Sequence, residues 1–255
     1  MSINRILYAA VLTMAVSSCA DTYTESYNIQ GSSSVSLLDG SKLYLKVMSE
    51  GDLKSIDSCE IVHGDFGFTG RYDSTLIGML AIQDGGMPIV IEKGDIKVSI
   101  DKMANKVSGS PLNDILYDFL DKHIQLANQM GELGHKEARM MLDGIDEQTI
   151  AQRLSQENQL LMMKADSLET HFILDNLDNV LGPYVFQMLT ANYRYPMLTP
   201  QIEEIMAKAT DKFKNDPYVR SYYSSAKGIL ARMKGEDAAA TSDAAEAKPE
   251  THQEQ

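Results

Sequence analysis

The side chains able to do chemistry are few and scattered. Cys59 sits in "SIDSCEI", alternating with Asp57 and Ile61 on a strand and flanked by Glu60. A thiol attacks as its thiolate, and nearby carboxylates disfavour that form. Cys59 is therefore expected to be an inert strand residue rather than a peroxidatic or partner-docking thiol. Five histidines, His63, His123, His135, His171 and His252, are spread along the chain. No two of them stand at the roughly two-to-four-residue spacing typical of a zinc ligand set. "HGD" at 63–65 has turn composition before it has ligand composition. No H-E-x-x-H, G-x-S-x-G or P-loop pattern occurs, and "GSSS" at 31–34 is loop composition rather than a phosphate cradle. Fifteen methionines include "RMML" and "LLMMK", which raise soft-metal ligation or a plastic binding groove. Consecutive residues on a helix point about 100° apart, a poor arrangement for sharing a metal, so core filling is expected. Tyr193 and Tyr195 in "YRYP" and Tyr222 and Tyr223 in "SYYSS" lie near helix ends. They are the candidate ligand or partner contacts. The plainer alternative is a ring packed inside with its hydroxyl wet. No catalytic residue, metal or cofactor is implied.

Cys19 is the other thiol, in "MAVSSCADTY", residues 14–23. It is preceded by "MSINR", with one cation at Arg5, and by the apolar "ILYAAVLTMAV". That run is too short for the roughly 20 residues a spanning helix needs. A basic start, a short apolar stretch and small residues before a processing point describe a secretory leader. With Ser17 and Ser18 before the cysteine and Val16 at the aliphatic position, the segment resembles a bacterial lipobox. The resemblance implies a signal peptide over residues 1–18 and lipid attachment at Cys19. The alternative is an ordinary signal peptide in which Cys19 is incidental. Each buried methylene contributes about 0.8 kcal/mol, so two or three acyl chains hold the protein to a membrane without spanning it. Acylation of Cys19 would leave Cys59 as a solitary thiol, unable to form an intramolecular disulfide.

The chain has 255 residues and a net charge of −13. Removing residues 1–18, which carry Arg5 and no acid, leaves −14 on 237 residues. That balance argues against nucleic acid and against an anionic lipid surface, both of which select basic patches. The last segment, "EDAAATSDAAEAKPETHQEQ" at 236–255, has six acids, one lysine and no large apolar side chain. It cannot bury enough surface to offset chain entropy and is expected to be disordered.

Between these ends the hydrophobic period changes once. "SKLYLKV" alternates, with Leu43, Leu45 and Val47 inward, and "GDIKVSID" puts Ile96, Val98 and Ile100 inward. "SIDSCEIVHGDFGFTG" has the pattern of a hairpin turning at "HGD", with Phe66 and Phe68 on one face. "TLIGMLAIQDGG" and "MPIVIEKGD" are nearly continuous apolar runs, as in strands buried on both faces. Seven or eight strands over residues 19–109 predict an antiparallel β-sandwich or partly open barrel. Helical spacing begins at "SGSPLND", with Ser110 as cap and Pro111 in the first turn. Leu112, Ile115, Leu116, Phe119, Leu120, His123 and Leu126 share a stripe, as do Ile150, Leu154, Leu161, Ala165, Leu168 and Phe172. Thr199–Pro200 and Asp216–Pro217 open further helices, and Gly235 is a plausible stop. The class is α+β: a β module followed by an all-helical region at 110–235.

"YNIQG", "GSKLYL", "SIDSCEIVHGDFGFTG", "PIVIEKGDIKV" and "VSGSPLNDILYDF" occur in this order. Together they resemble the domain of unknown function numbered 4369, over roughly residues 23–120, with "HFILDNLDNVLGPYVF" a looser continuation. The resemblance implies a lipoprotein of gut-type Gram-negative anaerobes, in a family where this module commonly precedes a thioredoxin-like oxidoreductase. Such an enzyme needs two cysteines two residues apart. This chain has no such pair, and no catalytic residue of the family has a matching position. The expectation is a non-catalytic, lipid-anchored envelope protein that binds an unknown envelope protein or small ligand. It would be tethered to the inner or outer membrane and face the periplasm, since Asp21 alone gives little acidity after the cysteine. The alternative is an accessory to a separate thiol–disulfide oxidoreductase or peroxiredoxin. An unrecognised hydrolase with dispersed carboxylates is a third and weaker reading.

Overall fold

The computed structural model describes residues 25–49, 52–83 and 85–246. Residues 1–24, with Cys19 and the expected signal peptide, and residues 247–255 lie outside them. Eight strands form the N-terminal region: β1 (Ser26–Ser33), β2 (Lys42–Ser49), β3 (Asp52–Glu60), β4 (Asp65–Arg71), β5 (Leu76–Ile82), β6 (Gly85–Ile91), β7 (Gly94–Ile100) and β8 (Asn105–Ser108). They divide into two four-stranded sheets, ordered β4-β1-β7-β8 and β3-β2-β5-β6. The sheets stack as an open sandwich, the arrangement expected. All pairs are antiparallel except β1–β7, which is parallel and corrects the wholly antiparallel expectation.

Strand alternation builds the core. In the first sheet Ile29 pairs with Phe68 on one side and Ile96 on the other, and all three are buried. In the second, Leu45 pairs with Leu80, which pairs with Met87. Two glycines make room for aromatic rings across a strand pair. Phe66 lies over Gly31 and Tyr27 over Gly70, where a methyl group would collide with the ring. The "HGD" turn forms as expected, with His63 and Gly64 at positive φ and a Val62–Asp65 bridge. The hairpin expectation is corrected beyond that bridge. β3 pairs only with β2 and β4 only with β1, so the chain crosses between sheets there. Ile61, fully buried at the crossing, extends the β2 side through Ser41 and Gly40 before the turn.

Six helices follow: α1 (Pro111–Leu142), α2 (Glu147–Asp175), α3 (Leu181–Ala191), α4 (Pro200–Lys208), α5 (Asp211–Asn215) and α6 (Pro217–Glu246). Thr199 and Asp216 cap as expected, their oxygens accepting from Ile202 N–H, and from Tyr218 and Val219 N–H. Ser110 occupies the cap position of α1 without a side-chain capping bond. The carboxylate of Glu92, at the end of β6, accepts instead from Leu112 N–H at 3.0 Å and Asn113 N–H at 3.2 Å. It thereby satisfies donors that have no partner inside a helix. α6 runs past the expected stop at Gly235 to Glu246. Alanine has the highest helix propensity, and extending a formed helix carries no nucleation cost.

The two regions share one core. Leu116, Tyr117 and Leu181 are buried with the sandwich side chains. Asn113, fully buried, treats β6 as a neighbouring strand would. Its Oδ1 accepts from Val90 N–H at 2.9 Å and its Nδ2 donates to Val90 C=O at 2.7 Å. Tyr117 donates to Pro88 C=O at 2.9 Å. The free edge of β6 is thus covered by side chains of α1. A second core forms inside the helices, where the Phe186 ring meets Phe213 and Tyr222 edge-on at 5.6 and 5.5 Å. Beyond these cores α1 and α2 continue as a two-helix arm, held by one seam that includes Met140, Ile150 and Leu161. Lys136 and Glu157 pair across it. No helix of the described residues is long and apolar enough to cross a membrane.

Candidate functional site

An apolar concavity lies where the second sheet meets the helices. β5 and β6 are apolar on both faces. One face fills the sandwich, and Val90 on the other is buried beneath α1. α3 covers only part of this second face. The uncovered part is the floor of a groove of about 620 Å³. Ile77 and Met79 of β5, Pro88 of β6, Met48 of β2 and Leu53 of β3 form the floor. Pro183, Tyr184 and Met188 of α3 form a wall, and Tyr218 of α6 closes one end. Asp216 is the one charged side chain in the lining, and its carboxylate is occupied in capping α6. The Tyr218 hydroxyl is held by Thr190 at 2.9 Å. Burial pushes the Tyr184 phenol above its ordinary pKa. The groove is thus lined mainly by apolar side chains, with Gln187, Tyr184, Tyr218 and Asp216 its polar members.

A second recess, of about 650 Å³, shares Val180, Pro183 and Asp216 with the groove. Its lining is mixed: Leu112 and Leu177 lie beside Thr75, Asn179 and Asn215, with Lys212 set against Asp178 and Asp216. The Lys212 ammonium donates to Asp178 C=O at 2.7 Å. Tyr72, also in this lining, donates its N–H to Glu25 C=O at 2.7 Å. The described chain therefore begins beside this recess, where Glu25 also pairs with Lys93.

The four tyrosines named from sequence are not brought together in either recess. Tyr222 is a core residue whose hydroxyl accepts from Met197 N–H and donates to Met197 C=O, both at 3.0 Å. Tyr193 packs partly against the helical core, and Tyr195 is 45% exposed. Tyr223 lies under the Lys227 ammonium, 4.1 Å from the ring centroid. The groove uses Tyr184 and Tyr218 instead. Their signal in sequence was only a helical apolar stripe, which does not distinguish a wall from a core. Cys59 is half-buried, facing the sandwich opposite Leu43. Burial pushes its thiol up, the Gly67 backbone offsets part of that, and Asp57 adds to it. His63 sits exposed on its turn, and His123 meets Glu169 at 3.0 Å between α1 and α2. Among the described residues no group of three or more His, Cys, Asp or Glu is placed to hold a metal ion. Core filling by the paired methionines is corrected. Met140 is buried, but Met141, Met162 and Met163 are exposed, because a two-helix arm can bury only one stripe of each helix.

Residues 27–116 match the model of a family described as Domain of unknown function (DUF4369). The match begins in β1 and ends at Leu116 in α1, so it includes Asn113 and its clasp on β6. The rest of the helical region, with the 171–186 segment, lies outside it. No curated protein and no solved structure matches the chain.

Proposed function

From a DUF4369 domain whose core is shared with a helical body, we infer a non-catalytic, lipid-anchored protein of the Gram-negative cell envelope that binds an apolar ligand or partner in the groove. The observation that carries this reading is the groove itself. It exists only because the sheet and α3 meet, and its volume lies in the roughly 300–1,000 Å³ range of ligand sites. The anchor is supported by the short apolar leader ending at Cys19. The periplasmic face of the inner or outer membrane follows from that leader and from the lack of acidity after Cys19. The suppressed Cys59 thiolate counts against the redox-accessory alternative.

Mass spectrometry of the protein purified from its membrane tests the anchor. The expected N-terminal residue is an acylated Cys19, and Cys19→Ala should release the protein from the membrane fraction. An unmodified Cys19 disulfide-bonded to Cys59 would overturn the reading. Thiol labelling tests the alternative: Cys59 should label slowly in the native protein, and fast labelling would favour a redox partner.

A further inference from the structure

We propose that the arm binds the arm of a second copy of this chain, the two α1 helices lying antiparallel along Ile124, Ala127, Gly131, Gly134, Ala138 and Met141. The pairing rests on neither the lipid anchor nor the groove. These six residues recur at spacings of three and four and so form one stripe of the helix. All six are exposed, and the stripe is separate from the seam with α2 that includes Met140. Ile124 and Met141 each leave more than half of their surface in solvent.

Gly131 and Gly134 are the residues that call for a partner. Glycine destabilises a helix interior relative to alanine. Neither has the positive φ that would require it. Neither makes room for a side chain of its own chain, as Gly31 and Gly70 do, because a Cβ at either position would meet nothing within 4 Å. Two glycines with no task inside the chain are accounted for when another helix comes close enough to touch their backbone.

The order of the stripe selects a second copy as that helix. It is the same read from either end: Ile124 and Met141 outermost, Ala127 and Ala138 next, Gly131 and Gly134 at the centre. A two-fold axis through the glycine pair therefore sets Ile124 beside the partner's Met141, alanine beside alanine and glycine beside glycine. That is the self-complementarity an isologous contact requires. Charge points the same way. The chain carries −13, so two copies approach most easily where their faces hold little charge. The stripe holds none. Of the positions that border it from His123 to Leu142, Glu137 alone is a carboxylate. The two-fold places the two copies of Glu137 about 13 Å apart along the helix axes, farther than the roughly 8 Å screening length of physiological salt.

Sedimentation equilibrium of the whole chain carrying Cys19→Ala, under reducing conditions and over a range of concentrations, tests the pairing. A reversible monomer–dimer equilibrium is expected. Gly134→Leu enters open space in its own chain and favours the helix, so its monomer should melt no earlier than the parent monomer. Its dimer dissociation constant should rise about tenfold or more. Gly131→Glu, a charge at the centre, makes the same test without adding apolar surface. Leu160→Asp, on the side of the arm that carries the Lys136–Glu157 pair, should dimerise as the parent does. With Cys59→Ser also present, Ile124→Cys together with Met141→Cys should oxidise to a covalent dimer, and Ile124→Cys alone should not. A monomer at every concentration, a dimer untouched by both glycine variants, or equal weakening by Leu160→Asp would overturn the proposal. Linkage through Ile124→Cys alone would overturn the antiparallel arrangement.

Discussion

Each inward side chain of the sandwich has neighbours on its own strand, on the paired strand and on the facing sheet; Ile29, Leu45, Ile96 and Val107 are fully buried this way. The arm made by the far halves of α1 and α2 has a single seam, and its other stripes meet solvent, leaving Leu142 at 87% and Leu160 at 59% exposed. Both regions are well-formed secondary structure, so regular backbone is no guide to where stability resides. Burial from several directions concentrates it in the sandwich and in the helices clasped to it. The arm is held by few contacts and belongs among the segments that open first.

The sharpest way to break this contrast is Val98→Asp. Val98 is 4% exposed on the inner face of β7, and an unpaired charge there costs several kcal/mol, on the order of the whole stability. Because Leu116, Tyr117 and Leu181 share that core, helical circular dichroism should be lost together with the sheet signal. Folding of the variant with a parent-like melting temperature would show the inward face to be wrong. Asn113→Ala comes next. It leaves the Val90 N–H and C=O and the Ser110 hydroxyl without their partner, and about 3 kcal/mol should be lost in denaturant unfolding.

Alkaline pH gives a smaller effect. Burial raises the pKa of Tyr117, Tyr184 and Tyr222, so the folded form keeps these protons to higher pH than the unfolded chain does. Their contribution is complete below the ordinary tyrosine pKa of about 10 and is lost as pH rises through the folded-state values. The melting temperature should therefore fall above about pH 10, and Tyr117→Phe should flatten that slope while costing about 1 kcal/mol for its bond to Pro88. The smallest global effect is expected in the arm. Ile150→Ala should quicken amide exchange around residues 140–160 and leave the global melting temperature almost unchanged. A fall as large as that of Asn113→Ala would mean that arm and body unfold as one unit.

Much of this was legible in the sequence wherever one local rule acts alone. The alternation of Leu43, Leu45 and Val47 and of Ile96, Val98 and Ile100 gave the inner faces, and the unbroken apolar runs of β5 and β6 signalled burial on both faces. What escaped depends on partners distant in the chain. The cap of α1 is Glu92, some 20 residues before the helical donors it accepts from, and no capping rule looks that far back. β3 and β4 carry the local signature of a hairpin, but the choice to pair elsewhere belongs to β1 and β2. The groove is illegible for the same reason. Its floor lies before residue 89 and its wall after residue 182, and each half looks like ordinary core composition until the two are seen to stop short of each other.

The parallel pairing of β1 has a mechanical consequence. β1 is an interior strand, bonded along its length to β4 on one side and to β7 on the other. A pull on the residues before Glu25 runs along the strand and loads both ladders in shear, so their bonds must fail together rather than peel one at a time. Were the first strand at a sheet edge and loaded sideways, the same tug would unzip it. A load applied at the N-terminal end of the described chain is thus met by an interior strand of its sheet, and forced unfolding from that end should be slow.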